Sequence, residues 1–166
     1  LGAEDRCFTV GSFSKTYSMT GWRVGYVACP KPIAPLMVKL QEATVACAPA
    51  PSQHAALAAL SGPQTCVARM VSAYRERRDL AYNLLSPAGL CSYYPDGAFY
   101  LLVDIPTEAT NTYAYARKLL QEADVAVAPG ETFGTQGQGR VRISLATSAE
   151  QLREGLQRLI AFANAN

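Results

Sequence analysis

The sequence predicts an α/β chain in two parts joined by a long helix. Three observations carry this reading. Runs rich in β-formers at 6–12 ("RCFTVGS") and 22–29 ("WRVGYVAC") flank a polar turn. Apolar residues at Val67, Met70, Val71, Tyr74, Ala81, Leu84 and Leu85 keep helical spacing. After Pro87, strand-like and helix-like runs alternate in the order β-β-α-β-β-α, which describes a small α+β domain.

The elements follow in order. Past the two opening strands, Pro30, Pro32 and Pro35 break the chain, and a short helix is expected over 33–45. A loop at 48–51 leads to a helix capped by Ser52 and running through Leu60. Ser61-Gly62-Pro63 stops it, with Pro63 placed to open the next helix. That long helix reaches about Leu85, and its basic run "RERRD" at 75–79 reads as a solvated face. Strands are expected at 90–94 and 98–104, joined by the turn Pro95-Asp96-Gly97. A helix at 112–122, strands at 125–129 and 140–146, and a last helix opened by the capping box Ser148-x-x-Gln151 complete the chain.

Bulk properties narrow the function. A chain of 166 residues suits one domain or one and a fraction, and 49% apolar with 17% charged residues is ordinary for a folded globular protein. A net charge of +2 does not argue for nucleic acid or an anionic membrane as partner. No apolar run approaches a membrane span. Cysteines at 7, 29, 47, 66 and 91 form no C-x-x-C pair, so no metal site is expected, and they read as reduced thiols of a cytoplasmic protein.

The chemistry centres on "TVGSFSKT", residues 9–16. A P-loop would need glycines where Thr9 and Ser14 stand, so a nucleotide-binding reading of Lys15 fails. If the two opening strands are neighbours, Arg23 returns to the strand end that carries Ser12, Ser14 and Lys15. Two hydroxyls and a guanidinium around one point suit a phosphate. A cation beside Lys15 favours the neutral amine, which attacks carbonyls and forms Schiff bases. A cofactor bearing both an aldehyde and a phosphate satisfies the whole set, and pyridoxal 5'-phosphate is one.

The stretch "SFSKTYSMTGWRVGY", 12–26, resembles the cofactor-attachment motif of the class I and II aminotransferases, the fold-type-I pyridoxal-phosphate enzymes. The resemblance implies that Lys15 forms the Schiff base with the cofactor and that Ser12 and Arg23 bind its phosphate, with Ser14 at a further small motif position. "PSQHAALAAL" (51–60), "PDGAFYLLVDI" (95–105) and "VAVAPGETFGTQGQGRVRISLA" (125–146) resemble later family segments. Among them Arg142 matches the substrate-carboxylate arginine, with Arg140 a nearby alternative. An arginine suits that role because its fork matches a planar carboxylate through two parallel hydrogen bonds.

The family's chains are more than twice this length, so the resemblance implies a C-terminal part. Residues 1–50 would be the end of the large cofactor-binding domain and its sheet, 51–86 the connecting helices and 87–166 the small α+β domain. The implied activity is transamination between an L-amino acid and a 2-oxo acid in a homodimeric parent enzyme of the aspartate and aromatic branch, with this chain inactive alone. Two alternatives stand beside it: a lyase or synthase of the same fold, and a non-catalytic fragment that associates with a partner chain. Strands cut from a larger sheet expose unpaired edges, so self-association or poor solubility of residues 1–45 is expected. His54 in an Ala-rich run reads as structural. Gly134, Gly137 and Gly139 have the wrong spacing for a dinucleotide fingerprint and read as a flexible connection. Tyr93, Tyr94, Phe99 and Tyr100 read as core aromatics.

Overall fold

The computed structural model describes residues 2–106 and 111–165. It divides into two compact units, Leu1–Met70 and Val71–Asn166. Among the described residues no helix is long and apolar enough to cross a membrane.

The first unit opens with an antiparallel hairpin of β1 (Thr9–Ser12) and β2 (Gly25–Ala28), paired from Thr9↔Ala28 to Ser12↔Gly25. Both strands are shorter than their β-forming sequence runs. The expected polar turn between them is partly helical: α1 (Phe13–Thr16) follows β1 directly, and a 3-10 turn spans Thr20–Trp22. The reason is local. Ser12 is extended and its side chain accepts the Ser14 N–H at 3.1 Å, an N-cap that starts a helical turn at the strand end. Phe13 turns inward and meets Met19, Val24 and Ala56, the buried hydrophobic residues of this unit.

Helix α2 (Ala34–Val45) matches the expectation for 33–45. Helix α3 (Ala50–Ser61) begins earlier than expected: Pro49 is its N-cap, and Ser52 is buried inside the first turn rather than capping it. Prolines at the first helical positions cost nothing there, because those N–H groups have no partner within the helix. Helix α4 (Thr65–Leu85) carries the predicted long helix.

In the second unit β3 (Tyr100–Asp104), β4 (Ala128–Pro129) and β5 (Arg140–Ser144) form an antiparallel sheet in the order β3-β5-β4. Helices α5 (Thr112–Ala123) and α6 (Ala149–Ala165) cover one of its faces. The period of two assigns Leu101, Val103, Val141 and Ile143 to that buried face, where they join Leu119, Leu152, Leu156, Leu159 and Phe162. The other face carries Tyr100, Leu102 and Asp104, opposite Ser144, Arg142 and Arg140. Ser148 accepts the Gln151 N–H at 3.2 Å as the capping box requires, while the Gln151 side chain accepts from the Thr147 hydroxyl.

Three expectations are corrected here. Residues 90–94 are not a strand: the Tyr93 hydroxyl accepts the Leu102 N–H at 3.1 Å and Asp104 takes the Ser92 N–H, so side chains fill the places of ladder bonds. The run at 75–79 is not simply a solvated face. Arg77 donates to the carbonyls of Leu145 and Thr147 at the end of β5, and Arg78 donates to Asp79, Pro95 and Tyr94. The glycine-rich loop is packed backbone on backbone: a Cβ on Gly130 would lie 2.2 Å from the Gly137 oxygen, and one on Gly137 would lie 1.9 Å from the Gly130 oxygen.

Candidate functional site

The hairpin register brings most of the predicted residues to one place. Ser12 ends β1 and pairs with Gly25, so Arg23, two residues before Gly25, sits at the same end of the hairpin. Phe13 N–H to the Val24 carbonyl, 3.4 Å, continues the pairing past the strand. Ser14 and Lys15 follow in α1, and Lys15 is exposed. The close pairing depends on Gly25, where a Cβ would lie 2.6 Å from the Gly11 oxygen.

Arg23 is not a strand residue as its sequence position suggests. It has φ 48 and ψ 48, the left-handed conformation, and its Nη1 donates to the Thr20 carbonyl at 2.9 Å. That conformation costs a non-glycine residue about 1–2 kcal/mol. Such strain persists where surrounding structure over-determines it, and it clusters at ligand sites. Here it immediately precedes Val24, whose carbonyl accepts the Phe13 N–H, and Gly25, which pairs with Ser12. The Ser12 oxygen accepts from Ser14, which leaves its hydroxyl proton to donate. An exposed primary amine, a hydroxyl donor and a guanidinium at one strand end fit a group that carries an aldehyde and a phosphate.

Arg142 belongs to the second unit. It lies on the open face of β5, opposite Leu102 on β3 and Ala128 on β4. Its guanidinium carbon stands 3.9 Å from the Tyr100 ring centroid and 4.1 Å from that of Phe133. Among the described residues its guanidinium has no hydrogen bond or ion pair. Arg140, its alternative, donates from Nε to Asp104 at 2.8 Å. Of the two arginines, only Arg142 keeps a full fork of donors for an incoming carboxylate.

Two neighbours of Arg142 escaped the sequence reading. Phe133 lies in the glycine loop, which read as a connection. Tyr100 read as core, yet it faces the guanidinium, and Tyr93 and Tyr94 are exposed at 37% and 47%. The strand period could have revealed Tyr100, because it alternates with the buried Leu101 and Val103. His54 is exposed on α3 with no resolved role. Burial pushes the Cys91 thiol up from its ordinary range, which keeps it protonated and inert.

Residues 1–159 match the family model for aminotransferase class I and II. The chain is 41% identical over 160 residues to an aspartate aminotransferase of Pyrococcus abyssi, covering 95% of this chain and 41% of that protein. It is 38% identical over 159 residues to an arginine–pyruvate transaminase of Pseudomonas aeruginosa, covering 95% and 40%. The solved aromatic aminotransferase of Pyrococcus horikoshii superposes with a TM-score of 0.92 at 39% identity, over 99% of this chain and 45% of that one. The chain therefore spans less than half the length of these relatives, and it has the mixed α/β fold of their matching part.

Proposed function

The chain belongs to the class I and II aminotransferases, and on that premise we propose that it works as the C-terminal part of a pyridoxal-phosphate-dependent enzyme that transfers an amino group between an L-amino acid and a 2-oxo acid. When bound, the cofactor supplies an aldehyde that condenses with amines and a ring that takes up the electron pair released at Cα. Lys15 would provide the amine that holds the aldehyde, and its free amine would move a proton at the substrate Cα as general base and acid. Ser12 and Arg23 hold the phosphate, with Ser14 fixing the Ser12 hydroxyl. Arg142 binds the substrate carboxylate. Relatives named for aspartate, aromatic amino acids and arginine match this chain about equally, at 41%, 37% and 38% identity. What those amino acids share is the α-amino carboxylate, the part that Lys15 and Arg142 would handle.

The proposal extends to organisation. Residues 1–50 belong to a cofactor-binding domain, 51–86 connect, and 87–166 form a small domain. The active assembly is a cytoplasmic homodimer, which the five free thiols and the family resemblance support.

The observation that carries the reading is the register that places Ser12, Lys15 and Arg23 at one hairpin end. The test is a reduction trap: pyridoxal phosphate and borohydride, then peptide mass spectrometry, with Lys15→Ala as control. Selective labelling of Lys15 is expected. Labelling spread over Lys31, Lys39 and Lys118, or no labelling, would show that this chain by itself builds no cofactor site. Exposed apolar residues of the first unit, Val10 at 77% and Val38 at 62%, favour a second reading in that case, association with a partner chain. Light scattering reports it directly.

A further inference from the structure

We propose that Tyr100 and Phe133 are positioning residues that clamp the two faces of the Arg142 guanidinium, so that only its in-plane donor edge accepts a ligand and the site selects a planar carboxylate over a tetrahedral oxyanion. This rests on the reading of Arg142 as the carboxylate-binding residue and adds what makes that arginine selective.

The geometry is specific on both sides. Tyr100 stands one pleat along β3 from Leu102, the residue paired with Arg142, so it reaches the guanidinium diagonally on the open face of the sheet at 3.9 Å. Phe133 approaches from the loop after β4 at 4.1 Å. These distances put the cation well within reach of both ring quadrupoles. Phe99 packs on Tyr100 with ring centroids 4.4 Å apart, and so backs the first ring.

The second ring hangs on a loop, and the loop is fixed by backbone. Gly130 and Gly137 approach so closely that a Cβ on either would strike the other's carbonyl oxygen, and a Cβ on Gly130 would also lie 2.5 Å from the Arg140 oxygen. The two glycines thus close the segment 130–137 against the start of β5, where Arg142 sits two residues on. A free arginine side chain samples many rotamers. One stacked on both faces is held with its fork in a single plane before any ligand arrives, which raises affinity by lowering the ordering cost.

Clamping also decides which ligand fits. A carboxylate lies in the guanidinium plane and meets two donors without leaving the slot. A sulfonate or phosphonate carries a third oxygen out of that plane, toward one ring or the other. A lysine at this position would offer a point charge that no ring pair orients.

The test uses the 166-residue chain labelled in its arginine side chains, read by NMR. The Nε–H signal of Arg142, assigned by its loss in Arg142→Lys, is expected upfield of the other arginines because of the two rings. Titration with propionate and with ethanesulfonate gives the two affinities. Phe133→Leu and Tyr100→Leu, which keep apolar bulk but remove a ring, are each expected to move the signal back and weaken propionate about five- to tenfold. Each also narrows the preference for propionate over ethanesulfonate, while Phe133→Tyr retains both. Phe133 is 47% exposed, so its replacement leaves the core untouched, and it stands as the decisive variant if Tyr100→Leu unfolds. Unchanged propionate affinity and preference in Phe133→Leu would overturn the clamp while leaving Arg142 as the carboxylate residue. Propionate binding that survives Arg142→Lys would overturn the Arg142 reading itself, and the clamp's selective role with it.

Discussion

The first unit buries Phe13, Met19, Val24 and Ala56 together, and around them Val10, Leu36, Val38, Leu40 and Val45 stay more than half exposed. The second unit packs a continuous cluster in which Leu85, Leu101, Val103, Leu119, Val141, Leu145 and Leu159 are fully buried or nearly so. The sheets differ in the same sense. The β1–β2 ribbon has almost no buried position, whereas β3 and β5 alternate buried and half-buried residues against two helices. A two-stranded ribbon is marginal in water, while three strands with one packed face are self-supporting. The comparison teaches that the residues proposed for covalent chemistry sit on the less self-sufficient scaffold, and the arginine proposed for substrate binding on the more robust one.

Core truncation should expose this contrast most strongly. Leu119→Ala removes a fully buried side chain from the second unit and should cost about 2–5 kcal/mol. Met19→Ala in the first unit should cost clearly less, because the buried cluster it joins holds only Phe13, Val24 and Ala56 beside it. Urea unfolding followed by hydrogen exchange would resolve both. If the two variants shift one common transition equally, the units unfold together and the contrast is wrong.

The glycine contacts sharpen the comparison at the level of each site. Gly137→Ala drives a methyl into the Gly130 carbonyl, and backbone must move. We expect a loss of about 1–3 kcal/mol and a downfield return of the Arg142 Nε–H signal as Phe133 leaves its face. Gly25→Ala pushes β2 off Gly11, where the obstructing oxygen lies 2.6 Å away. With so little structure depending on the ribbon, its stability cost should be smaller. Its effect should appear instead as reduced trapping at Lys15, because the Ser12–Arg23 end of the hairpin opens. Full trapping in Gly25→Ala would show that the register is not what assembles the site.

Sequence made the second unit's helices and the hairpin legible because period and spacing report burial directly. The α5 and α6 patterns and the Ser148 cap needed no tertiary information. The attachment motif was legible for another reason: a fixed spacing from Ser12 to Arg23 survives folding as a register. What stayed hidden depends on partners distant in the chain. Residues 90–94 have strand composition, yet side chains of Tyr93 and Asp104 satisfy the backbone groups a ladder would use. Arg77 looks like surface until the carbonyls of Leu145 and Thr147 appear above it. Phe133 has no period at all, and only the closure of Gly130 on Gly137 reveals that its loop is a wall of the Arg142 site. The left-handed Arg23 is likewise invisible in a motif that reads straight into a strand.

The smallest expected effect concerns a surface cluster that anchors the segment before β3 to α4. The Tyr94 hydroxyl donates to Asp79 at 2.6 Å, Arg78 Nε donates to the same carboxyl at 2.9 Å, and the Arg78 guanidinium lies over the Tyr94 ring. The Tyr94 bond first, and then Arg78, hold the Asp79 carboxyl below its ordinary value of 3.8, and Asp79 in turn raises the Tyr94 phenol above 10.0. A lowered carboxyl contributes stability that is present above the ordinary value and is lost as pH falls through the lowered one. A raised phenol contributes stability that is present below its ordinary value and is lost as pH rises through the raised one. Tyr94→Phe should therefore lower the Tm slightly at neutral pH, with the difference from wild type shrinking below pH 3.8 and again above pH 10.0. Water screens the cluster, so the neutral-pH difference should be the least of the set. No difference from wild type at any pH would mean that Tyr94 acts by packing on Tyr82, 5.0 Å between centroids, which phenylalanine keeps, and that the hydrogen bond to Asp79 contributes nothing.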